Sequence, residues 1–425
     1  MQPNQARIGT KQRIRVVWIS LCILATATAA LFLYLYWGGQ RRATEIFAAQ
    51  TPEIEREIAR LESIRIERPG FWDGSVPGNG WDYYTQAFAR LAALPTSALD
   101  WGNLRALQEP VRPYEDAKHA LEEFRPVLHL LRQAQRADRL EIHRRYRYYR
   151  QWDMESSYDQ LGVFHRCLLK LSESLHSGHE DAKALEILML SLGTSTDLLR
   201  GKSLMYSPYG QEYEGHGIRA IRFLLSNHSL TAEDLAKAVA FVDRLDGSRS
   251  TVRDRLIAED ASLRMATLES ERKRSDFFVW EENVSWHHLW SARLARAAAL
   301  IQLKKAFSDL AQVEPRPVSE WVPAATEIAH DPSFRMVAVT LEDAVEDYRK
   351  EAQRRLSLRL LRTALAIAWH QADTGRLPVS LGDLVPKYLA DMPHHDRDGQ
   401  ALQYEPGKLW TEGTRKHPWT INRTR

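Results

Sequence analysis

Cysteine is scarce in this sequence, which has only Cys22 and Cys167 among its 425 residues. The two cysteines lie far apart, and neither belongs to a C-x-x-C pair. A disulfide framework and a cysteine-based zinc site are therefore excluded.

An excess of charge of one sign is also missing. The formal net charge is +3, and residues 1–15 contribute +4 with no acid among them, so the rest of the chain carries −1. The basic side chains of that segment are Arg7, Lys11, Arg13 and Arg15. A nucleic-acid binder needs a basic face that displaces counterions from phosphates. We therefore expect no nucleic-acid partner.

Signatures of the common enzyme classes are missing too. The sequence contains no G-x-S-x-G, H-E-x-x-H, G-x-x-x-x-G-K-[ST] or G-x-G-x-x-G. Serine hydrolases with a nucleophile elbow, zincins, P-loop proteins and dinucleotide enzymes are disfavoured as a result. A triad assembled from distant residues remains open. The sequence predicts no cofactor and no particular catalytic residue.

A long apolar run is present near the N-terminus. Residues 16–37 read VVWISLCILATATAALFLYLYW without a charge, and at about 1.5 Å per residue a helix of this length spans roughly 33 Å, enough to cross a bilayer. Trp18 and Trp37 suit the aromatic belts at the two interfaces. We predict a transmembrane helix that contacts the lipid bilayer and ends at Gly38 and Gly39.

A cleaved signal peptide is the alternative for this run, because Ala25-Thr26-Ala27 and Ala27-Thr28-Ala29 resemble cleavage sites. A signal peptide turns polar there, whereas this chain continues with LFLYLYW, which favours an uncleaved anchor. Basic residues are more frequent before the span than just after it. The positive-inside rule therefore favours a cytoplasmic N-terminus and an exported body.

Helical patterns dominate the rest of the chain. One apolar stripe has spacings of three and four, and Thr231 with Asp234 forms a capping box before another helix. The stripe consists of Leu161, Phe164, Cys167, Leu168, Leu171 and Leu175. Strand-like alternation is almost absent before residue 400, and no fixed-period repeat is found. The sequence predicts a mainly α fold, either an antiparallel helical bundle or an irregular α-solenoid.

The expected domain organisation has five parts. Residues 1–15 form a basic tail, 16–37 the transmembrane helix, and 38–80 a juxtamembrane helix and linker, with a new helix beginning at Thr51 and Pro52. Residues 81–375 form the α-helical domain, and 376–425 form a C-terminal segment.

The C-terminal segment has a pattern of its own. Gly375 is predicted to end a long helix, and Ser380 with Asp383 forms a capping box for a short one. Residues 401–404 and 408–413 predict a hairpin. The segment is therefore expected to be a small helix plus β-hairpin module.

Residues 368–393 read A-x-x-x-x-D-T-G-R-L-P-x-S-L-x-D-L-V-P-x-Y-L-x-x-x-P and are followed by D-G-x-x-L-x-Y. This run resembles the tail of type II secretion pseudopilins of the major, G type, and of uncharacterised membrane-anchored helical proteins of bacteria. Residues 76–91 also resemble an early segment of the latter. The resemblance implies a bacterial inner-membrane location.

Two features differ from the pseudopilin pattern. The helix before the tail carries Arg354, Arg355, Arg359 and Arg362, so it is not a membrane helix. His395 stands where such tails carry an acid. We therefore expect a structural module and do not infer calcium binding or filament assembly.

The densest group of potential metal ligands is His394, His395, Asp396 and Asp398, because imidazole and carboxylate groups together suit zinc. No further ligand at a known spacing accompanies them. A solvated turn before the hairpin is the simpler interpretation.

Two segments offer candidate binding residues. One contains Trp286, His287 and Trp290, which could contact a sugar, a peptide or the membrane surface but could equally be core residues. The other is rich in Tyr and Gly and could form the rim of a pocket or an ordinary loop. Its candidate contacts are Tyr206, Tyr209, Tyr213 and His216.

Three functions are consistent with these features. The first is a non-catalytic, membrane-tethered protein that binds or scaffolds an unknown protein partner in the bacterial cell envelope. The second is a membrane-anchored hydrolase that uses His and carboxylate groups, which requires such groups to converge in one pocket. The third is an accessory component of a secretion or pilus-like machine, which requires the tail to project from the body.

Overall fold

The computed structural model describes residues 3–63, 70–94, 113–140, 152–199, 207–247, 251–273, 292–393, 402–411 and 418–422. The chain is mainly helical, as predicted, with a long apolar helix at its N-terminus and a small sheet of three antiparallel strands near its C-terminus. The helices are α1 (Pro3–Ser63), α2 (Gly80–Ala92), α3 (Tyr114–Arg136), α4 (Trp152–Ser177), α5 (Asp181–Leu199), α6 (Ser207–Leu225), α7 (Ala232–Gly247), α8 (Val252–Lys273), α9 (Ala292–Leu310), α10 (Val318–Ala329) and α11 (Ala338–Thr374).

Helix α1 continues without a break from the apolar run into the body. The expectation that Gly38 and Gly39 end this helix is wrong, and so is the expectation that Thr51 and Pro52 begin another. Thr51 Oγ1 instead donates a hydrogen bond of 2.7 Å to the carbonyl four residues earlier, within the same helix. A glycine in a helix costs about 1 kcal/mol. Packing of the later part of α1 offsets that cost.

The two parts of α1 have opposite environments. In the apolar part, no residue of the most hydrophobic stretch is buried inside the described protein, and the helix is long and apolar enough to span a membrane. The later part forms an apolar core with α8 and α9. In that core Phe47, Ile54 and Ile58 pack with Met265 and Leu300. The apolar helix is thus continuous with a helix of the body.

The body has two further apolar cores, and both include α11. The larger core contains residues of all the helices from α2 through α7, of the second half of α11 and of the C-terminal segment. The smaller core joins α8, α9 and α10 with the first half of α11. Trp321 and Tyr348 meet edge to face in the smaller core, with ring centroids 5.7 Å apart. The 37 residues of α11 therefore connect the two cores.

A buried ionic network joins helices from both cores. Arg255 on α8 pairs with Asp347 at 2.8 Å and with Glu351 at 3.4 Å, both on α11. Arg354, also on α11, pairs with Glu351 and with Glu214 on α6. Desolvation costs several kcal/mol per buried ion, so each of these charges requires its partners. The network fixes α6, α8 and α11 relative to one another.

Both predicted capping boxes are confirmed. The Thr231 amide donates to Asp234 Oδ2 at 3.1 Å, and the Asp234 amide donates to Thr231 Oγ1 at 3.2 Å, at the start of α7. Ser380 and Asp383 form the same reciprocal pair before a 3-10 helix, Leu381–Leu384. These pairs satisfy amide groups that have no partner within the helix.

A short parallel strand pair was not predicted. β1 (Val76–Asn79) pairs with β2 (Ala137–Arg139), although the sequence around β1 indicated only a loop. Asn79 Oδ1 also accepts a hydrogen bond of 3.1 Å from the amide of Trp81, which caps α2. β1 therefore ends directly at the beginning of a helix.

The C-terminal segment packs into the body. Gly375 ends α11 with φ of +76°, and the hairpin of β3 (Gln403–Glu405) and β4 (Lys408–Trp410) is extended by β5 (Trp419–Thr420). The amide of Asn422 donates to the carbonyl of Leu225 at 3.0 Å. Apolar side chains of the segment belong to the larger core, namely Leu381, Leu384, Tyr388, Leu389, Leu402, Leu409, Trp419 and Ile421.

Candidate functional site

A cleft of about 290 Å³ lies between α4, α5 and α6. Helix α4 contributes Leu169, Glu173 and His176, and α6 contributes His216 and Phe223. Positions separated by three, four or seven residues share one face of a helix, so each helix presents a single face to the cleft. Leu188 on α5 with Ala220 and Leu224 on α6 completes the apolar lining. Arg219 and Ser172 complete the polar lining.

Behind the cleft, three aromatic rings lie in contact. The ring of His165 is 5.8 Å from that of His216, at an interplanar angle of 24°, and 4.8 Å from that of Tyr213. Ser191 Oγ and His165 Nδ1 share a hydrogen bond of 2.6 Å. A cavity of about 10 Å³ adjoins His165, Ser191 and Tyr213. His216 in the cleft is thus supported by a buried polar layer.

Burial determines the protonation of the two stacked histidines. It lowers the pKa of His165 to about 3, with smaller contributions from the positive charges of His216 and Arg166. Burial also lowers the pKa of His216, and the charge of Arg219 acts in the same direction, whereas Glu212 opposes it. Both imidazoles are therefore neutral at pH 7.

Two acidic groups near the cleft have hydrogen-bond partners of their own. Glu173 accepts a hydrogen bond of 3.0 Å from Lys170. Asp181 lies 2.6 Å from His176 Nδ1 and also accepts from Ser229, and although burial opposes ionisation, these hydrogen bonds lower the pKa of Asp181. The acids are thus held in place by their own partners.

The outer edge of the cleft is aromatic. Phe223 is 62% exposed, and its ring meets that of His176 edge to face with centroids 5.9 Å apart. An exposed phenyl ring beside an apolar lining is a feature of binding surfaces.

The pairing of Ser191 with His165 is a poor arrangement for nucleophilic catalysis. A general base is most effective when its pKa lies near the working pH, and that of His165 is about 3. His165 Nε2 is buried and has no hydrogen-bond partner among the residues that the structure describes, so no carboxylate orients the ring as in a triad. The geometry suits ligand binding better than proton transfer.

Two of the sequence-predicted residues meet at this site. His216 lines the cleft and Tyr213 the small cavity behind it, in a helix and not on a loop as expected. Tyr206 lies outside the described residues. The backbone of Tyr209 is part of α6, but its side chain lies outside the description.

The other candidates are not tested by the structure. Trp286, His287 and Trp290 lie outside the described residues, as do the potential metal ligands His394, His395, Asp396 and Asp398. Within the described part of the chain, no group of three or more His, Cys, Asp or Glu side chains could hold a metal ion.

No sequence pattern singled out the remaining residues of this site, namely His165, Ser191, Arg219 and Phe223. A signal for His165 was present, since it lies among the apolar positions of the stripe on α4, next to Phe164 and one turn before Leu168. A polar residue on an apolar face indicates a buried hydrogen bond.

No family model, no curated protein and no solved structure matches the chain.

Proposed function

We propose that this chain is a single-pass, membrane-anchored binding protein of the bacterial cell envelope. In this proposal residues 16–37 cross the inner membrane, with the N-terminus cytoplasmic and the body exported. The body binds its partner without chemistry, through the cleft between α4, α5 and α6. The observation that carries the proposal is the cleft itself, in which an exposed phenyl ring, an apolar lining and a few polar groups converge in front of a buried histidine, His165, that is unsuited to base catalysis.

The continuity of α1 supports the membrane part of the proposal. None of the residues in its most hydrophobic stretch is buried against the described part of the protein. The later part is fixed to the body by an apolar core and by Arg264, which is buried and pairs with Glu57. A helix of this kind would hold the body at a fixed height above the bilayer.

The packing of the C-terminal segment bears on the alternative of a secretion-machine component. That alternative needs a projecting tail, whereas the amide of His228 donates to the carbonyl of Asn422 at 3.2 Å and Arg222 donates to the carbonyl of Pro418 at 2.9 Å. The arrangement favours a structural module. The hydrolase alternative is less well supported, because the low pKa of His165 makes it a poor base for Ser191.

Anchoring and topology are tested on the full chain expressed in a bacterium. We expect the protein to remain in membranes after alkaline carbonate extraction and the body to be digested by protease only when the periplasmic side is accessible. A variant with Leu24→Lys and Leu31→Lys should be extracted, because each charge at the centre of a span costs about 3 kcal/mol. Extraction of the unaltered chain would contradict the membrane part.

Binding at the cleft is tested by a photo-crosslinking residue placed at Phe223 in living cells. We expect a defined adduct, detected by mass on the peptide that contains position 223, and expect Ala220→Trp to abolish it by filling the cleft. Val379 is the control position. It is 85% exposed and does not line the cleft, so it should give no such adduct. An adduct insensitive to Ala220→Trp would contradict binding in the cleft.

A further inference from the structure

The charges at the mouth of the cleft leave one cation without an acidic partner. Glu173 is paired with Lys170, and Asp181 lies against His176. Arg219 is exposed and has no ion pair with any residue in the described ranges. A guanidinium in this position is available to an anion from solution, and its planar donors match a carboxylate.

The electrostatic potential at the inner end of the cleft is also positive. The charges of Arg219 and Arg166 lower the pKa of His216 in addition to the effect of burial, and the opposing effect of Glu212 does not reverse the shift. The ring of His216 therefore lies in a field that disfavours positive charge and favours a bound anion.

The number of cations limits the charge of the ligand. A phosphate dianion is normally bound by several cations or by a set of backbone amides. Among the residues that the structure describes, the lining supplies one cation without an ion pair, Arg219, and neutral His216 as a hydrogen-bond donor. A single negative charge fits this set.

The rest of the lining is apolar, so the uncharged part of the ligand is expected to be apolar as well. Leu169, Leu188, Ala220 and Leu224 line the cleft, and Phe223 extends this surface at its edge. A volume of about 290 Å³ holds roughly ten non-hydrogen atoms if each takes about the 30 Å³ of a liquid water molecule. An unbranched chain of eight to ten atoms is of this size.

We propose that the cleft binds a medium-chain aliphatic carboxylate, with its carboxylate paired to Arg219 and its chain on Leu169, Leu188 and Leu224. This inference rests on the proposed function, since it names the ligand of the same cleft. A protein anchored in a bilayer is placed where such amphiphiles concentrate.

The test is calorimetric titration of the full chain, in nanodiscs of zwitterionic lipid, with octanoate, 1-octanol and octylammonium. We expect octanoate to bind most tightly and octylammonium least. Arg219→Gln should weaken octanoate binding about two- to fivefold, the usual effect of losing one exposed ion pair, and leave octanol binding unchanged. Lys237→Gln, which removes an exposed cation on α7, is the matched control.

Two results would overturn the proposed ligand class. One is equal affinity for octanoate and octylammonium. The other is an Arg219→Gln variant that binds octanoate as the unaltered chain does. Ala220→Trp should abolish the heat that exceeds that of protein-free nanodiscs. Excess heat that persists in this variant comes from binding outside the cleft, which also counts against the proposal.

The calorimetric and crosslinking results separate the two proposals. If the adduct at position 223 is lost in Ala220→Trp but octanoate does not bind, the cleft is a binding site and the ligand class is wrong. If the adduct is insensitive to Ala220→Trp, the cleft is not the binding site, and the proposed function fails along with its ligand.

Discussion

The imidazole of His165 lies directly behind that of His216, with ring centroids 5.8 Å apart. His165 is 4% exposed and His216 lines the cleft, so a buried ring supports the ring that a ligand would contact. Ser191 fixes the orientation of the inner ring through the hydrogen bond at Nδ1. Neutrality is essential to this stack, because two cationic rings at this distance would repel each other.

The buried state of His165 predicts a loss of stability in acid. Its pKa is about 3 in the folded chain and about 6.5 when unfolded, so the unfolded state alone takes up a proton as the pH falls below 6.5. Between pH 6.5 and 4.5 this group should cost the folded state about 2 kcal/mol. Urea unfolding at several pH values measures the effect.

The matched variants for that experiment are His165→Gln and His119→Gln. The first should show a shallower fall in unfolding free energy between pH 6.5 and 4.5 than the unaltered chain. The second removes a histidine whose side chain is 82% exposed and should leave the slope unchanged. Equal slopes for all three proteins would show that His165 is protonated in the folded state.

Two glycines at helix ends predict opposite responses to alanine. Gly375 adopts φ of +76°, which an L side chain reaches only at a cost, so Gly375→Ala should destabilise the body by about 1 kcal/mol. Gly247 at the end of α7 has no positive φ, so Gly247→Ala should be neutral or stabilise by up to about 1 kcal/mol.

Sterics do not complicate that comparison, because a Cβ at either position would meet no described atom within 4 Å apart from its chain neighbours and its own helix backbone. The midpoints of urea unfolding are the measurement. A Gly375→Ala variant as stable as the Gly247→Ala variant would contradict the assigned role of the left-handed conformation.

The features predicted correctly from the sequence are local ones. The capping boxes at Thr231 and Ser380 and the helix end at Gly375 depend on residues within a few positions of one another. The apolar stripe on α4 depends only on helical spacing, and its members Phe164 and Leu168 are buried. Such signals are readable because the interactions they report lie within one element.

The features that were missed depend on distant parts of the chain. Gly38 and Gly39 indicated a helix end, but packing of α1 on α8 and α9, more than 200 residues later, outweighs local propensity. In the sequence, Arg354 indicated only that its helix does not cross a membrane. Its ion pair with Glu214 was not predicted, because Glu214 is 140 residues away. His216 was a candidate from composition alone, and no pattern linked it to His165 and Ser191.

The joint between α1 and the body predicts a large cost for removing Arg264. Its side chain is 1% exposed and pairs with Glu57 on α1 and with Asp260 at 2.6 Å. Arg264→Met leaves those carboxylates without their cation and should lower the unfolding free energy by about 3 to 5 kcal/mol. Lys304→Met is the control, because Lys304 pairs with Glu53 but is 51% exposed, and it should cost less than about 1 kcal/mol.

Urea unfolding in nanodiscs measures both variants at pH 7.5. A similar small effect for Arg264→Met and Lys304→Met would show that the apolar contacts of α1 suffice to hold the joint. A large effect confined to Arg264→Met would show that the ion pairs contribute to holding the body on the membrane helix.

Asp260, the partner of Arg264 on α8, predicts the opposite pH dependence from His165. Burial raises the pKa of Asp260 to about 6, against the lowering effect of Arg264, while the unfolded value is close to 3.9. The protonated acid therefore favours the folded state. Its contribution is complete below about pH 3.9 and is lost as the pH rises to 6, a change of about 3 kcal/mol.

Asp260→Asn isolates this effect, because the amide cannot ionise. At pH 7.5 we expect the variant to be no less stable than the unaltered chain, and between pH 4 and 6 its unfolding free energy should lack the decrease assigned to Asp260. The comparison with Arg264→Met is informative, since both variants break the same ion pair from opposite sides. If Asp260→Asn proves several kcal/mol less stable at pH 7.5, attraction to Arg264 outweighs the desolvation of the carboxylate, and the pKa of Asp260 must then lie below its ordinary value.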